Sequence, residues 1–486
     1  MSQAIEKPQA EQTGIKALFP TFLGRRAILI YQCIAGLFIA LLIVYSVWSY
    51  MEGMALARAV EKMQGGKRVI NEESLFQSPR MIDNAALIYT QAAEIYDPIK
   101  DDYVAWLEKN VDSPLGVFPW LGEWDEQKAQ LAREFLKKAE VRQTLDLIQQ
   151  AAQKTDCIYP LDYTEGFNLE LPHLPRTRKL ARLVAFEMKR LAADGDYTGA
   201  LSWLPAGMAL SRSVEREPIL ISYLVRISCE RDILNVLQEI LSKYDPSEEE
   251  MLAILKVLAP TGRSVSLADA LRLERKFILE GFGLKAAKTG NLGALGAFIY
   301  SAKTPWYAGV VGFTSKPIAR RVVLNYIDHT NRLIAILDRP FSYDNWKQAW
   351  GLCKEIEAAA ENQKRRNFVS ALFLPAVLRA IEDAYSHECE IHTMRLAVAM
   401  KAYKKKNGQW PAEQSQMVPD FLPQLPLDVF SGKEYVVSHK DGLLTVYSIG
   451  PDGRDDGGNF LKREVIEPNT GKLKQLWPDR GVRIKE

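Results

Sequence analysis

The stretch IHTMRLAVAMKAYKKKNGQWP, residues 391–411, joins a helical pattern to the compact region that carries the most informative sequence signals. Its apolar residues recur at helical spacing, and its last turn is basic, which suits the negative end of a helix dipole. Asn407 and Gly408 supply a left-handed stop, and Pro411 prevents the helix from resuming. We therefore predict a helix that ends at about residue 407.

A small antiparallel sheet is predicted after this helix. The runs EYVVS at 434–438 and LLTVYS at 443–448 have the composition of strands. Asp441 and Gly442 lie between them and form a hairpin signal. We therefore assign residues 386–465 to an α+β module and residues 466–486 to a C-terminal tail.

This order of motifs resembles the globular head of the major pseudopilins of bacterial type II secretion systems. The resemblance covers residues 390–460 and implies a pseudopilin-like fold, with secretion or pilus-like envelope proteins as partners. Three elements carry it: Asn407, Gly408, Trp410 and Pro411; Leu425, Pro426, Asp428, Phe430, Gly432 and Tyr435; and Tyr447, Ser448, Gly450, Asp452 and Gly453.

Two features depart from the pseudopilin pattern. Val429 stands where the family usually has proline. In that family a processed, glutamate-containing membrane helix runs directly into the head, whereas here Gly24 is followed by Arg25 and Arg26, and a long helical region intervenes. The resemblance therefore implies a pilin-like head on a membrane-anchored helical body.

The loop YSIGPDGRDDGGNF, residues 447–460, concentrates aspartate and glycine. The matching loop of the resembled family binds calcium, which makes Asp452, Asp455 and Asp456 the implied metal ligands. Carboxylate oxygens are the hard ligands that calcium takes, although the spacing is not that of an EF-hand. The alternative is a solvated acidic turn whose glycines adopt positive φ.

The stretch HECEIH, residues 387–392, contains metal-ligand residue types. On a helix, however, His387 and Cys389 point in different directions, and only Glu388 or Cys389 shares a face with His392. We interpret it as a packed helix with a solvated acidic face. No nucleophile or phosphate-loop motif is present, so no catalytic residue is assigned, and His173 and His329 are interpreted as isolated structural histidines.

Residues 65–385 form a series of helical patterns that we assign to a stacked-helix body. Gly195 and Asp196 separate two of these patterns, which resemble one tetratricopeptide-type hairpin without a repeat around it. A glycine-rich segment, 281–313, interrupts the series. We interpret it as a mobile insertion, and the alternative is an apolar surface for a membrane or a partner.

The run AILIYQCIAGLFIALLIVYSVW, residues 27–48, contains no charged residue and reaches the ~20 residues needed to span a bilayer. We predict a transmembrane helix with Tyr45, Trp48 and Tyr50 at the interface. Arg25 and Arg26 adjoin the run, which favours a cytoplasmic N-terminus at 1–26 and a body in the periplasm or another exported space. A cleaved signal peptide and a buried soluble helix are the alternatives.

Composition limits the classes of partner. Lys and Arg number 62 against 60 Asp and Glu, and the resulting net charge of +2 provides no field for nucleic acid. The five cysteines lie far apart with no C-x-x-C pair, so a disulfide framework is not expected, although one long-range bridge stays open. They are Cys33, Cys157, Cys229, Cys353 and Cys389.

Together these patterns predict a mainly α chain with an N-terminal transmembrane helix, a stacked-helix body and a small C-terminal α+β head. The expected role is that of a non-enzymatic, signal-anchored envelope protein with structural or protein-interaction work, associated with type II secretion or pilus-like machinery. One alternative is a helical envelope scaffold unconnected with secretion. Another is a hydrolase that uses carboxylates of the helical body, which requires a cleft with paired acids of shifted pKa.

Overall fold

The computed structural model describes residues 25–64, 83–110, 124, 126–262, 264–290, 308–362, 368–460, 463–466, 473–476 and 479–486. These residues are mostly helical, with a small antiparallel sheet near the C-terminus. The predicted fold class is confirmed to that extent. The described α-helices are α1 (Arg25–Gln64), α2 (Ala85–Asn110), α3 (Glu126–Leu136), α4 (Ala139–Ala152), α5 (His173–Ala193), α6 (Tyr197–Ser202), α7 (Leu204–Ser211), α8 (Leu220–Lys243), α9 (Glu248–Val257), α10 (Leu267–Ile278), α11 (Leu284–Thr289), α12 (Ala308–Leu337), α13 (Tyr343–Asn362) and α14 (Phe368–Asn407).

Local hydrogen bonds explain where several helices begin. The side chain of Asn84 accepts from the backbone N–H of Ala86 at 3.1 Å, which caps α2. Ser247 and Glu250 form a reciprocal capping box at the start of α9. Between α5 and α6, Gly195 has a φ of 81° and Asp196 caps the second helix. The predicted break of the helical hairpin is therefore confirmed.

The helix and hairpin predicted around residue 407 are also present. Helix α14 ends at Asn407, and Gly408 follows with a φ of 75°. Strand β1 (Val436–Lys440) pairs antiparallel with β2 (Leu443–Ser448). The turn between them has φ values of 55° at Asp441 and 70° at Gly442, a left-handed pair that glycine and aspartate accept readily.

The sheet extends past the module boundary at residue 465. Strand β5 (Arg480–Lys485) pairs antiparallel with β2, which makes β2 central in the order β1-β2-β5. Two further strands, β3 (Arg463–Ile466) and β4 (Leu473–Leu476), form a separate antiparallel pair. Residues 466–486, assigned as a tail, therefore contain a structural strand, because alternate apolar residues of β5 face the core. Val482 and Ile484 are both buried there.

The body and the module share one hydrophobic core. Helix α14 crosses the predicted boundary at 385 without a break. Strand β5 packs against both α8 and α14, and β2 packs against α14. Apolar residues of α2 to α10, α12 to α14 and the sheet belong to one cluster of buried side chains. The sheet is therefore built onto the helical body and not suspended from it.

Helix α1 is longer than the predicted membrane run. Its residues from Leu29 onward form one helix that is long and apolar enough to cross a membrane, and the most apolar window is entirely unburied. Its last turns pack on the body, where Leu56 lies in a cluster with Ile278, Val322 and Tyr326. One continuous helix therefore serves both as the apolar segment and as part of the body.

The start of the glycine-rich segment, up to Thr289, is helical. Leu279–Gly283 forms a π-helical turn that leads into α11. Ala286 and Ala287 are buried against α12, because their small side chains allow close helix packing. Gly290 then ends the helix with a φ of 76°. Residues 291–307 lie outside the described residues.

We expect Ile484→Ala to destabilise the helical body together with the sheet, and not only the C-terminus. Ile484 is fully buried between the sheet and the helices, so the cavity left by truncation costs about 2–5 kcal/mol of unfolding free energy. Chemical denaturation of the full chain in detergent measures this loss. The adjacent Lys485→Ala, on the exposed side of β5, should stay within about 0.5 kcal/mol. Equal effects of the two changes would show that β5 is not part of the core.

Candidate functional site

The loop after β2, residues 450–460, is held by short-range hydrogen bonds. Asp452 Oδ1 accepts from the backbone N–H of Arg454 at 3.1 Å. Asp455 Oδ1 accepts from the backbone N–H of Gly457 at 2.8 Å and from the hydroxyl of Tyr447 at 3.1 Å. Burial, together with the neighbouring Asp455, raises the pKa of Tyr447 to about 12. The loop is therefore a defined turn that presents carboxylates.

A fourth aspartate, Asp479, lies beneath this loop. It is fully buried, and its Oδ2 accepts backbone N–H groups of Asp456 at 3.1 Å and Gly458 at 2.8 Å. Burial raises its pKa, and the charges of Asp455 and Asp456 add to that rise against the two backbone hydrogen bonds. Asp479 was not identified from the sequence. It lies in residues 466–486, which were assigned as a tail.

Two carboxylate oxygens at this loop are buried without a hydrogen-bond partner. They are Oδ2 of Asp452 and Oδ1 of Asp479. Buried acceptors of this kind are costly, and a bound cation is one way to satisfy them. In the part of the chain that the structure describes, however, no three His, Cys, Asp or Glu side chains are grouped as a metal site. Asp452, Asp455 and Asp456 are thus not assembled as a side-chain triad, and calcium stays a prediction.

Asp428 connects the second and third elements of the pseudopilin-like pattern. It is buried, and its carboxylate accepts from the backbone N–H of Phe430 at 2.9 Å and from the hydroxyls of Ser431 and Ser448 at 2.7 Å each. The Ser448 hydroxyl in turn accepts from the N–H of Gly450 at 3.0 Å. Asp428 therefore joins the segment that precedes β1 to the start of the aspartate-rich loop.

Every polar side chain of HECEIH has a partner on another part of the chain or within its own helix. The contacts are His387 with Glu230; Glu388 with His392 at 3.1 Å; Cys389 with the carbonyl of Arg480 at 3.6 Å; Glu390 with Arg231 at 2.7 Å; and His392 with the hydroxyl of Tyr435 at 3.1 Å. The stretch is a packed helix, as interpreted. Its acidic side is not solvated as expected, because both glutamates are partly buried in ion pairs.

Glu230, in the middle of α8, is the centre of a buried charge network. It is 2% exposed and contacts His387, Arg212 at 3.3 Å and Arg226 at 3.7 Å. Burial alone would raise its pKa, but the charge and hydrogen bond of His387, with the two arginines, lower it to about 2. Burial likewise opposes protonation of His387, yet Glu230 and Glu390 outweigh it and raise the pKa of His387. Both shifts favour the charged forms of the two groups, which are in direct contact.

His173 is not isolated either. Its Nε2 lies 2.8 Å from Oε1 of the buried Glu217, and its ring stacks on Tyr159 at 4.2 Å. The Ser222 hydroxyl donates to the other carboxylate oxygen of Glu217 at 2.5 Å. His329 is partly buried on α12, and burial lowers its pKa. The expectation of a structural role fits His173, but its partner was missed.

A sequence signal for Glu230 did exist. Ile227, Ile233 and Leu234 occupy the buried side of α8, and Glu230 lies at the same helical spacing among them. A carboxylate at a core position requires a compensating group. That rule predicts a partner but cannot identify one, so His387, 157 positions away, was not found.

We expect the stability of the chain to fall as the pH rises above the ordinary histidine range, through loss of the His387 charge. A raised pKa in the folded state gives stabilisation that is complete below the unfolded value and is lost as the pH rises through the folded value. The contribution of Glu230, whose pKa is lowered, is lost instead at acid pH. Thermal unfolding as a function of pH measures both losses of stability, the one at rising pH and the one at acid pH.

The histidine variants separate this effect from other titrations. His387→Gln should be less stable than the wild type at pH 6 and should lose the alkaline decline. His439→Gln, which alters an exposed histidine, should keep it. A decline of the same size in His387→Gln and the wild type contradicts the assignment.

Comparisons with known proteins found no family model, no curated protein and no solved structure that matches this chain.

Proposed function

We propose that this chain is a single-pass, membrane-anchored protein of the bacterial envelope with a structural or protein-interaction role, associated with type II secretion or pilus-like machinery. The N-terminus lies in the cytoplasm, and the helical body and pseudopilin-like head lie in the periplasm or another exported space. The observation that carries the proposal is helix α1. Among the described helices it is the one that is long and apolar enough to cross a membrane, and its most apolar window is not buried against the body.

The junction of α1 with the body supports a fixed anchor. Arg320 donates a 3.0 Å hydrogen bond to the Ser49 hydroxyl and a second bond to its carbonyl. Glu52 is 3% exposed and accepts from Arg321 Nε at 2.9 Å and from the Trp48 indole at 3.1 Å. These bonds lie immediately after the apolar run, so they fit a boundary between the bilayer and the body. A cleaved signal peptide does not fit, because cleavage at Ala55–Ala57 removes Ser49 and Glu52 from the packed body.

Calcium is part of the proposal, as a ligand of the aspartate-rich loop. Asp452 and Asp479 offer buried oxygens without partners, and Asp455 and Asp456 add negative charge beside them. A divalent cation would neutralise this repulsion and hold the loop against β5. Backbone carbonyls or water would have to complete the coordination, since calcium takes six to eight oxygens.

A hydrolytic function is less well supported. The cleft beside α8 and α14 does contain acids, but the pKa values of Glu230 and Glu388 are both lowered by nearby cations despite their burial. Carboxyls held in the ionised form cannot act as the general acid of a paired-carboxylate mechanism. The lowered pKa values of Glu230 and Glu388 therefore argue against a paired-carboxylate mechanism in this cleft.

We expect calcium to raise the melting temperature of the full chain in detergent relative to a chelator. A ligand present at a hundredfold its Kd adds about 2.7 kcal/mol of stability. Asp452→Asn and Asp479→Asn should lose most of the shift, and Asp455→Asn and Asp456→Asn should reduce it. Asp420→Asn, an exposed aspartate of the same module, should keep it. A calcium shift that is absent, or that all four loop variants retain, contradicts the metal site.

Co-purification after cross-linking in membranes tests the association with secretion machinery. We expect pseudopilins or other secretion-system components to be recovered with the full chain, and recovery to fall in the Ile484→Ala variant, in which the body and the head are destabilised together. A chain that is anchored in the membrane but recovers none of these components is instead the helical scaffold unconnected with secretion.

A further inference from the structure

A cavity of about 490 Å³ lies next to the Glu230–His387 pair. Its walls come from α8, from α14 and from the two connections that precede α10 and α13. Cavities of this size hold small organic ligands. Neither the aspartate-rich loop nor helix α1 lines it, so its role is separate from those proposed above.

The charged lining of the cavity is positive. Four arginines, Arg212, Arg226, Arg339 and Arg395, face it together with three carboxylates. Those carboxylates already have partners: Glu230 pairs with His387 and Arg212, Asp338 with Arg272, and Glu388 contacts the ring of His392. The raised pKa of His387 favours its charged form on the same wall.

Arg395 points to a missing anionic partner. It follows Glu388 and His392 along one face of α14, and its Nε is buried without a hydrogen bond. Burial lowers the pKa of Arg395, and Glu388 only partly compensates. Arg226, on α8, lines the same cavity, where it stacks on the Tyr223 ring at 4.9 Å and lies 3.7 Å from Glu230. Guanidinium groups in such positions bind carboxylate and phosphate with paired, planar hydrogen bonds.

Helix α10 adds a second source of positive potential. Its N-cap residue, Ser266, and its first residue, Leu267, line the cavity. The partial positive charge of a helix N-terminus favours anions nearby. Asp269 in this first turn already pairs with Arg272, so it does not oppose an anion with a free charge.

The remaining walls are aromatic and aliphatic. Phe341 packs edge-on against the buried Tyr385 with ring centroids 4.8 Å apart, and Tyr223, Leu258 and Ile391 also line the cavity. A bare inorganic anion would leave these surfaces without contacts. We propose that the cavity binds a small organic anion, whose phosphate or carboxylate group lies between Arg226 and Arg395 and whose apolar part contacts the aromatic wall.

Binding of simple probes to the full chain in detergent tests this site. The probes are phenyl phosphate, benzoate and inorganic phosphate, measured by calorimetry and thermal shift with a chelator present so that the aspartate-rich loop cannot contribute through calcium. We expect phenyl phosphate or benzoate to bind more tightly than inorganic phosphate. Preference between the first two identifies the oxyanion group, and phenol, which is largely neutral at pH 7, should not bind.

Arginine variants locate the binding. Arg395→Gln should weaken the preferred probe by about tenfold or more, as expected for a lost charged hydrogen bond, and Arg339→Gln should weaken it less. Arg379→Gln, an exposed arginine of the same helix, should bind like the wild type. The proposal is overturned if none of the three probes binds, or if Arg395→Gln folds and binds as tightly as the wild type.

Discussion

The buried carboxylate of Glu230 constrains the arrangement of the helical body and the C-terminal module. A charge removed from water costs several kcal/mol unless cations and hydrogen bonds replace the solvent. Here the compensating groups come from separate parts of the chain: Arg212 after α7, Arg226 on α8 itself and His387 on α14. Their convergence fixes how α8 lies against α14. A second ion pair between the two helices, Arg231 with Glu390, supports the same relative position of α8 and α14.

That relative position in turn determines where the sheet attaches. Cys389, two residues after His387 and on another side of α14, contacts the backbone carbonyl of Arg480 at the start of β5. His392, a further turn along, contacts Tyr435 just before β1. Both edges of the three-stranded sheet are thus positioned from successive turns of one helix. The observation explains why the helical body and the C-terminal sheet share a core.

The features that could be predicted from the sequence depend on neighbouring residues. The features that could not be predicted depend on contacts between residues far apart in the sequence. The stop at Gly408 and the turn at Asp441 and Gly442 depend on the chirality and φ preferences of a few neighbouring residues, so their positions were correct. Asp479 and β5 were missed because strand pairing and burial beneath a loop depend on residues far away in sequence. For the aspartate-rich loop, the residues could be named, but not how their oxygens are arranged.

The continuity of α1 limits how the body can move relative to a membrane. A helix of 40 residues is about 60 Å long, of which a bilayer core accounts for ~30 Å, and one side of its last turns packs on the body through residues such as Leu56. No flexible stalk separates the two parts of this helix. In a membrane-spanning α1, any tilt of the apolar segment would pass directly to the body, because no break separates the two parts of the helix.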